Sequence, residues 1–485
     1  MAAPADQDVS LLWLREDLRL SDNPALAAAL ERGGRLLCAY VLEDAKPPLR
    51  PQGGAARWWL HGSLEALAKD MARRGGRLDL YRGEAEAVIP ALAAAAGANG
   101  VYWSRRYGLA EREIDARIKA ALRAKGVVAE SFNARLAHEP WEIGKADGSP
   151  FSVYSAFQRA ALAAQAPGAP LIAPTRLPAA PAPKDGPAPV TLEALRLRPA
   201  RPDWAGGLRS AWRPGEAGAR KRLDSFLAHG LARYALARDP PADEDAVSRL
   251  SPHLAFGEIG PRQILHALCG QAGAGAAKFR GELGWREFDY HLLFNHPHAA
   301  QENLQRRFDA MGWRDADADF RAWTQGLTGY PLVDAAMREL WTTGYMHNRA
   351  RLVAASFLVK HLLIDWRRGE AWFWDTLCDA DPANNPMNWQ WVAGCGADAA
   401  PYFRIFNPVL QGEKFDPQGD YVRRHVVELE KLSARWIHRP WRAPEAALRE
   451  AGVALGTTYP RPIVDHDAAR ARALAAFERV KTASP

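Results

Sequence analysis

VSLLWLREDLRLSDNPALAAALERGGRLLCAYVL, residues 9–42, decides the architecture of the first part of the chain. Two apolar runs, VSLLWL (9–14) and RLLCAYVL (35–42), flank NPALAAALERGG, where Pro24 stands early in a helical pattern and Gly33 and Gly34 stop it. RLDLYR (77–82), GVYWSR (100–105) and VVAESF (127–132) continue the series, and RWWLHGSLEALAKDMARRGG also ends on a glycine pair. This rhythm predicts an α/β domain over residues 8–140, a doubly wound parallel sheet with crossover helices. No GxGxxG follows the first run, so the usual dinucleotide fingerprint is absent.

Residues 141–215 are expected to connect two domains, and from Ala161 to Pro214 they are rich in proline, alanine and glycine. Beyond them the period becomes helical, as in PLVDAAMRELWTTG and NRARLVAASFLVKHLL, which predicts an all-helical domain over 216–475. No internal repeat is seen.

The 485 residues suffice for two or three domains, and 48% hydrophobic with 25% charged residues is ordinary for a soluble globular chain. No stretch approaches the roughly 18 uncharged apolar residues of a spanning helix. MAAPADQDVS has neither a basic region nor an apolar core of a secretory signal, so a cytoplasmic location without a membrane partner is expected. Cys38, Cys269, Cys378 and Cys395 are scattered, which argues for reduced, mostly buried thiols and against a disulfide framework or a metal site. A net charge of +7 suits a polyanionic partner. Tryptophan is unusually frequent, 18 residues against 16 phenylalanines and 12 tyrosines, which is open to core filling, base stacking or electron transfer.

Four segments of the helical half carry candidate chemistry. In VSRLSPHLAF, Ser251 before Pro252 reads as an N-cap, with Ser248 and Arg249 adding a hydroxyl and a cation. That suits a diphosphate cradle, or simply a capped helix with a surface arginine. In ELGWREF, Glu282, Trp285 and Arg286 share one helical face and could grip a stacked heterocycle, though an ion pair beside a core tryptophan has the same spacing. GYMHNRARL (344–352) places arginines at a helix start, where they oppose the macrodipole and imply an external anion or an acidic partner. DADPANNPMNWQW (379–391) sets two acids, two adjacent amides and two tryptophans within one segment.

These blocks, with SFLVKHLLIDW and GADAAPYFRIFNPVLQGEKFDP in the same order, resemble the photolyase and cryptochrome family, and LLWLREDLRLSDNPAL is similar to that family's first strand and loop. The resemblance implies FAD in the helical domain, held by Tyr234, by Val247, Ser248, Arg249, Leu250 and Ser251, by Asp379, Ala380 and Asp381, by Arg349 facing those acids, and by Asn385 beside flavin N5. It implies an electron-transfer row of Trp389, Trp366 and Trp313. Glu282 corresponds to the acid that hydrogen-bonds the lesion, Trp285 and Trp391 to the rings that stack on it. Arg238, Arg286, Asn348, Arg349, Leu352 and Gln411 fall on DNA-contacting positions. Val247 replaces a threonine, and Leu352 a methionine, common in the family. No metal or nucleophile is implied.

The function so implied is light-driven repair of cyclobutane pyrimidine dimers by electron transfer from reduced FAD to a flipped-out dimer, a case in which the lesion is the cheaper base to extrude. Asn385, where plant cryptochromes usually carry aspartate, leans toward repair. Glu111, in LAERE, resembles the acid that contacts an antenna chromophore, expected to be 5,10-methenyltetrahydrofolate, with 8-hydroxy-5-deazaflavin second. DNA containing pyrimidine dimers is the expected partner, the protein a monomer without an obligate protein partner. Rival readings are a signalling cryptochrome, a (6-4) photolyase, disfavoured because histidines are absent at Asn348 and Leu352, and a basic helical DNA-binding protein whose tryptophans only pack a core.

Overall fold

In a computed structural model of the chain, residues 8–43, 47, 49–399 and 403–482 are described. The reading of MAAPADQDVS therefore lies largely outside the described residues, as do positions 400–402 of the GADAAPYF block. The strands β1 (Val9–Leu14), β2 (Arg35–Leu42), β3 (Leu78–Arg82), β4 (Ala98–Ser104) and β5 (Val128–Phe132) form one sheet in the order β3-β2-β1-β4-β5. Every adjacent pair is parallel, and central Leu12 stands between Cys38 and Tyr102. The apolar runs arise because the central strands are covered on both faces by crossover helices. Helices Pro24–Glu31, Gly54–Ala72, Ala85–Ala95 and Leu109–Arg123 are those crossovers. Asn23 caps the first, its Oδ1 accepting from the Leu26 N–H at 3.0 Å.

The connecting region is more structured than its composition suggests. A helix, Tyr154–Ala163, packs beside the long helix Ala274–Asn295, with Tyr154 stacked on Trp285. Farther on, the Leu36 N–H donates to Pro178, the Ala180 N–H to Leu36, and the Val190 N–H to Leu80, so the chain runs over β2 and β3. The helical half packs around Pro331–Thr343 and Asn348–Ser356. Its last helix, His466–Thr482, runs past the expected boundary at 475 and buries Ala469, Ala473, Ala476 and Val480.

One hydrophobic cluster joins β1 and β2 to Ala255, Phe256, Tyr345 and Cys378 of the helical half. Trp59 sits at its centre, fully buried against Trp212, His253 and Phe256, with Nε1 donating to Glu258. Arg19, also fully buried, donates to the Gly257 and Ala134 carbonyls. Gly257 has φ +65, and a Cβ there would meet the Glu16 carbonyl at 2.0 Å, so glycine is required at this crossing. Cys38, Cys378 and Cys395 are buried and unpaired, and Cys269 is exposed. Among the described residues no helix is long and apolar enough to cross a membrane.

Candidate functional site

Several helices and loops of the helical half border a cavity of about 310 Å³. The helix Ala274–Asn295 supplies Glu282, Trp285, Arg286 and Asp289, and the helix Asn384–Ala393 supplies Asn384, Asn385, Asn388 and Trp389. Spacings of three and four residues place each set on one face. Tyr234, Arg238, Val247 to Ser251, Asn348, Arg351, Leu352, Asp379 and Asp381 also border it, so most of the expected site residues converge. Leu254, Ala355, Phe373 and Val392 make the remaining wall apolar.

The acids of DADPAN divide the work. Asp381 is consumed by the fold: it accepts from Arg135 Nη2 at 2.9 Å, the Tyr290 hydroxyl at 2.7 Å and the N–H groups of Ala383 and Asn384. Burial alone would raise its carboxyl, but Arg135 and Arg286 bring it below the usual range. Asp379 accepts at Oδ2 from Ser251 and from Arg351 Nη2 at 2.7 Å, while its Oδ1 is buried without a partner. Arg286 gives Nη1 to the Arg135 carbonyl and leaves Nη2 buried and unpaired. A buried polar atom without a partner costs about 1–3 kcal/mol, so an orphaned acceptor and an orphaned donor at one cavity fit a ligand carrying both, as a flavin dinucleotide does.

Three expectations need correction. Arg349 does not face the acids. It pairs with Asp239 at 3.0 Å and lies 4.3 Å over Phe415, because only 348, 351, 352 and 355 share the cavity face of that helix. Arg351 takes the place expected of it. Both helix-start arginines thus meet internal acids. Ser251 is not a cap, since its hydroxyl donates to Asp379 and Leu250 stands at the N-cap of a five-residue helix. Ala380, between two acids that border the cavity, lines a different cleft.

Other residues lie around this centre. Arg249 adopts φ +50, pairs with Glu244 and stacks 4.6 Å from Trp212 and 5.1 Å from Tyr345. Asn385 donates Nδ2 to Glu370 Oε1 at 2.8 Å, and Glu370 is clamped by both Nη atoms of Arg50. Glu282 is held by Arg238 and, at 3.1 Å, by Lys278. Trp285 has one ring face covered by Tyr154, with centroids 3.7 Å apart and planes 12° apart. Trp391 does not border the cavity. It is two residues beyond Trp389, hence on another helical face, and its Nε1 donates to the Asp398 carbonyl. Gln411 is half-buried on the helix Pro408–Phe415 and borders no part of it.

Trp389, on the cavity wall, and Trp366 are buried, and Trp313 is half-buried. Gly369 lets the first two elements meet: a Cβ there would lie 2.2 Å from the Trp389 ring. Trp366 Nε1 donates to Asn303 at 2.9 Å, and Arg314, next to Trp313, bonds the Leu362 and Leu363 carbonyls. Trp323, not expected at the site, also packs on Trp389 at 6.2 Å. Arg135, Tyr154, Tyr345 and Asp289 were likewise not singled out, and Arg351 only as a helix-start cation. Spacing points to the cavity role of Arg351 (three residues after Asn348) and could have found Asp289 (three after Arg286).

A second cleft, about 640 Å³, lies between the sheet domain and the helical half. Glu111, Arg106, Arg50, Trp374 and Ala380 line it. Burial raises the Glu111 carboxyl, with Arg106 opposing.

Two family models cover most of the chain: DNA photolyase over residues 10–182 and the FAD binding domain of DNA photolyase over 279–479. A deoxyribodipyrimidine photo-lyase of Agrobacterium fabrum (strain C58) is 52% identical over 97% of this chain and 98% of its own length. Cryptochrome-1 of Arabidopsis thaliana is 38% identical over 96% of this chain and 69% of its own length. A crystal structure of a bacterial class III photolyase from Agrobacterium tumefaciens superposes with a TM-score of 0.95 at 50% identity, covering all of both chains. The Synechocystis sp. PCC6803 cryptochrome gives 0.88 at 29% identity, covering 98% of this chain and all of that one. Matched by both family models and by a relative 52% identical over nearly its whole length, the chain belongs to the photolyase/cryptochrome family.

Proposed function

We propose that the protein is a deoxyribodipyrimidine photo-lyase that binds FAD in the cavity of the helical half and repairs cyclobutane pyrimidine dimers in DNA under light. The observation that carries this reading is the pair of buried, unpartnered polar atoms at one cavity, Asp379 Oδ1 as acceptor and Arg286 Nη2 as donor, with Asp379 fixed by Arg351 and Ser251. When bound, reduced FAD supplies the photoexcited electron that opens the cyclobutane ring.

The chain's own residues bind, orient and exclude water. Ser248 and the backbone through Ser251 hold the diphosphate, and Arg351 with Asp379 orients the ring system. Asn385 spends its amide N–H on Glu370, so its carbonyl oxygen is the group free for the flavin. Trp285, backed by Tyr154, offers its open face to an extruded base, and base stacking of this kind contributes about 1–3 kcal/mol. Glu282 exchanges Arg238 for the ring N3–H of a dimer base, a donor that its carboxylate accepts. Arg238 and Arg349 then hold phosphates, setting affinity and salt dependence. Glu111 and Arg106 line the cleft for an antenna, 5,10-methenyltetrahydrofolate in preference to 8-hydroxy-5-deazaflavin. The protein acts as a monomer in the cytoplasm, where its unpaired cysteines stay reduced.

The test is twofold. The purified chain carries one FAD and binds a dimer-containing duplex in preference to the undamaged one, whereas a colourless protein or one without that preference contradicts the reading. A blue-light receptor is the second reading, favoured by the 38% identity to Cryptochrome-1. It retains the flavin and shows no preference for damaged DNA.

A further inference from the structure

The cavity wall holds an acid for which neither the fold nor the proposed function has a use. Asp289 continues the face of Glu282, Trp285 and Arg286 one turn deeper and is 7% exposed. Its Oδ2 accepts from Asn388 Nδ2 at 2.9 Å, and Asn388 gives its other N–H to the Asn384 carbonyl at 2.8 Å. Among the described residues no lysine or arginine pairs with Asp289. The adjacent Arg286 is engaged by the Arg135 carbonyl and Glu287, and Asp381, the other charge near it, is negative.

A buried carboxylate without a cation is costly and takes up a proton instead. Burial first, and then Asp381, push the Asp289 carboxyl well above its ordinary range against the weaker pull of Asn388 and Arg286. In the neutral acid Oδ2, accepting from Asn388, is the carbonyl oxygen, and Oδ1 is left as an O–H donor.

We infer that Asp289 reads the purine of the dinucleotide bound in this cavity, its O–H donating to a ring nitrogen of adenine and its carbonyl accepting from the exocyclic amino group, with Asn388 fixing the rotation of the carboxyl. The inference rests on FAD being the ligand. A flavin imide also offers a donor beside an acceptor, but a reduced flavin is anionic. Its ring is drawn to the wall where the charged Arg351 stands, and the neutral carboxyl of Asp289 offers it no such attraction. Adenine, a neutral weak base, suits the acid wall. Asp289 is then a specificity residue that separates FAD from flavins lacking adenine.

The experiment titrates the apoprotein with FAD, with riboflavin 5′-phosphate and with the flavin dinucleotide whose adenine is replaced by hypoxanthine, following flavin fluorescence. Wild-type protein binds FAD about tenfold or more tighter than the hypoxanthine analogue, whose 6-carbonyl cannot donate. Asp289→Leu weakens FAD by a similar factor and leaves riboflavin 5′-phosphate unchanged, while Asp289→Asn, which keeps a donor beside an acceptor, stays within about threefold of wild type for FAD. Equal binding of FAD and the hypoxanthine analogue by the wild type overturns the inference, whatever the variants do. Equal weakening of FAD and riboflavin 5′-phosphate in Asp289→Leu overturns it too, by placing the contact on the flavin ring. Failure of the wild type to bind FAD at all removes instead the reading on which the inference rests.

Discussion

Arg351 Nη2 lies 2.7 Å from Asp379 Oδ2, whereas Arg349, two residues earlier, is turned away to Asp239 at 3.0 Å. One helix thereby presents one guanidinium to the cavity and another to its surroundings. Burial would lower Arg351, and Asp379 first, with Tyr345 and Glu339, reverses that, so the guanidinium stays charged. Arg351→Ala should weaken FAD binding by about 10- to 100-fold, the loss expected for a charge-assisted hydrogen bond, and dialysis followed by flavin absorbance measures it. Arg349→Ala should retain the flavin but lower DNA affinity, and reduce the slope of log affinity against log salt by about 0.9 if one phosphate contact is lost.

Gly369 decides how near Trp389 approaches the helix that carries Trp366. In Gly369→Ala the new methyl meets the Trp389 ring and a Leu358 methyl at 2.2 and 2.5 Å, so overpacking should cost about 1–3 kcal/mol in urea melts. Photoreduction of the bound flavin should slow as well. Trp366→Phe removes an indole from the row while keeping bulk. It should abolish photoreduction and spare repair by chemically reduced protein.

The strands were legible because a parallel sheet covered on both faces forces uninterrupted apolar runs, and each glycine pair marked where a crossover helix stops. The face of Glu282, Trp285 and Arg286 was legible for the same reason, since spacing alone sets it. What spacing does not give is rotation toward a particular neighbour, so Arg349 and Arg351 exchanged roles and Ser251 turned from capping to Asp379. Arg135 and Tyr154 reach Asp381 and Trp285 across 246 and about 130 residues of chain, and no local pattern announces such a contact.

Arg135 with Asp381 fastens the sheet domain to the helix that ends in the tryptophans, and both side chains are almost wholly buried. Arg135→Met removes the cation and strands the acid. A loss of about 3–5 kcal/mol is expected, visible as a lower urea midpoint together with flavin release.

Glu339 gives a pH signature. Its Oε2 accepts from the Tyr421 hydroxyl at 2.6 Å and the His347 N–H at 3.2 Å, yet burial outweighs both and lifts the carboxyl to about 7. Between an unfolded value of about 4.3 and that figure, the folded state keeps a proton that the unfolded chain releases. Stability should therefore fall as pH rises from about 4.5 to about 7, by up to roughly 3 kcal/mol from this group. Glu339→Gln should flatten that slope in denaturant melts across the same range.

The measurement that bears most directly on the central claim is the regain of thymine absorbance when reduced, FAD-loaded protein and an oligonucleotide carrying one thymine dimer are illuminated with blue light. The account predicts regain in light, none in darkness, and loss of the light effect in protein stripped of FAD. Dimers that persist under illumination while bound to the flavin-loaded protein would contradict it.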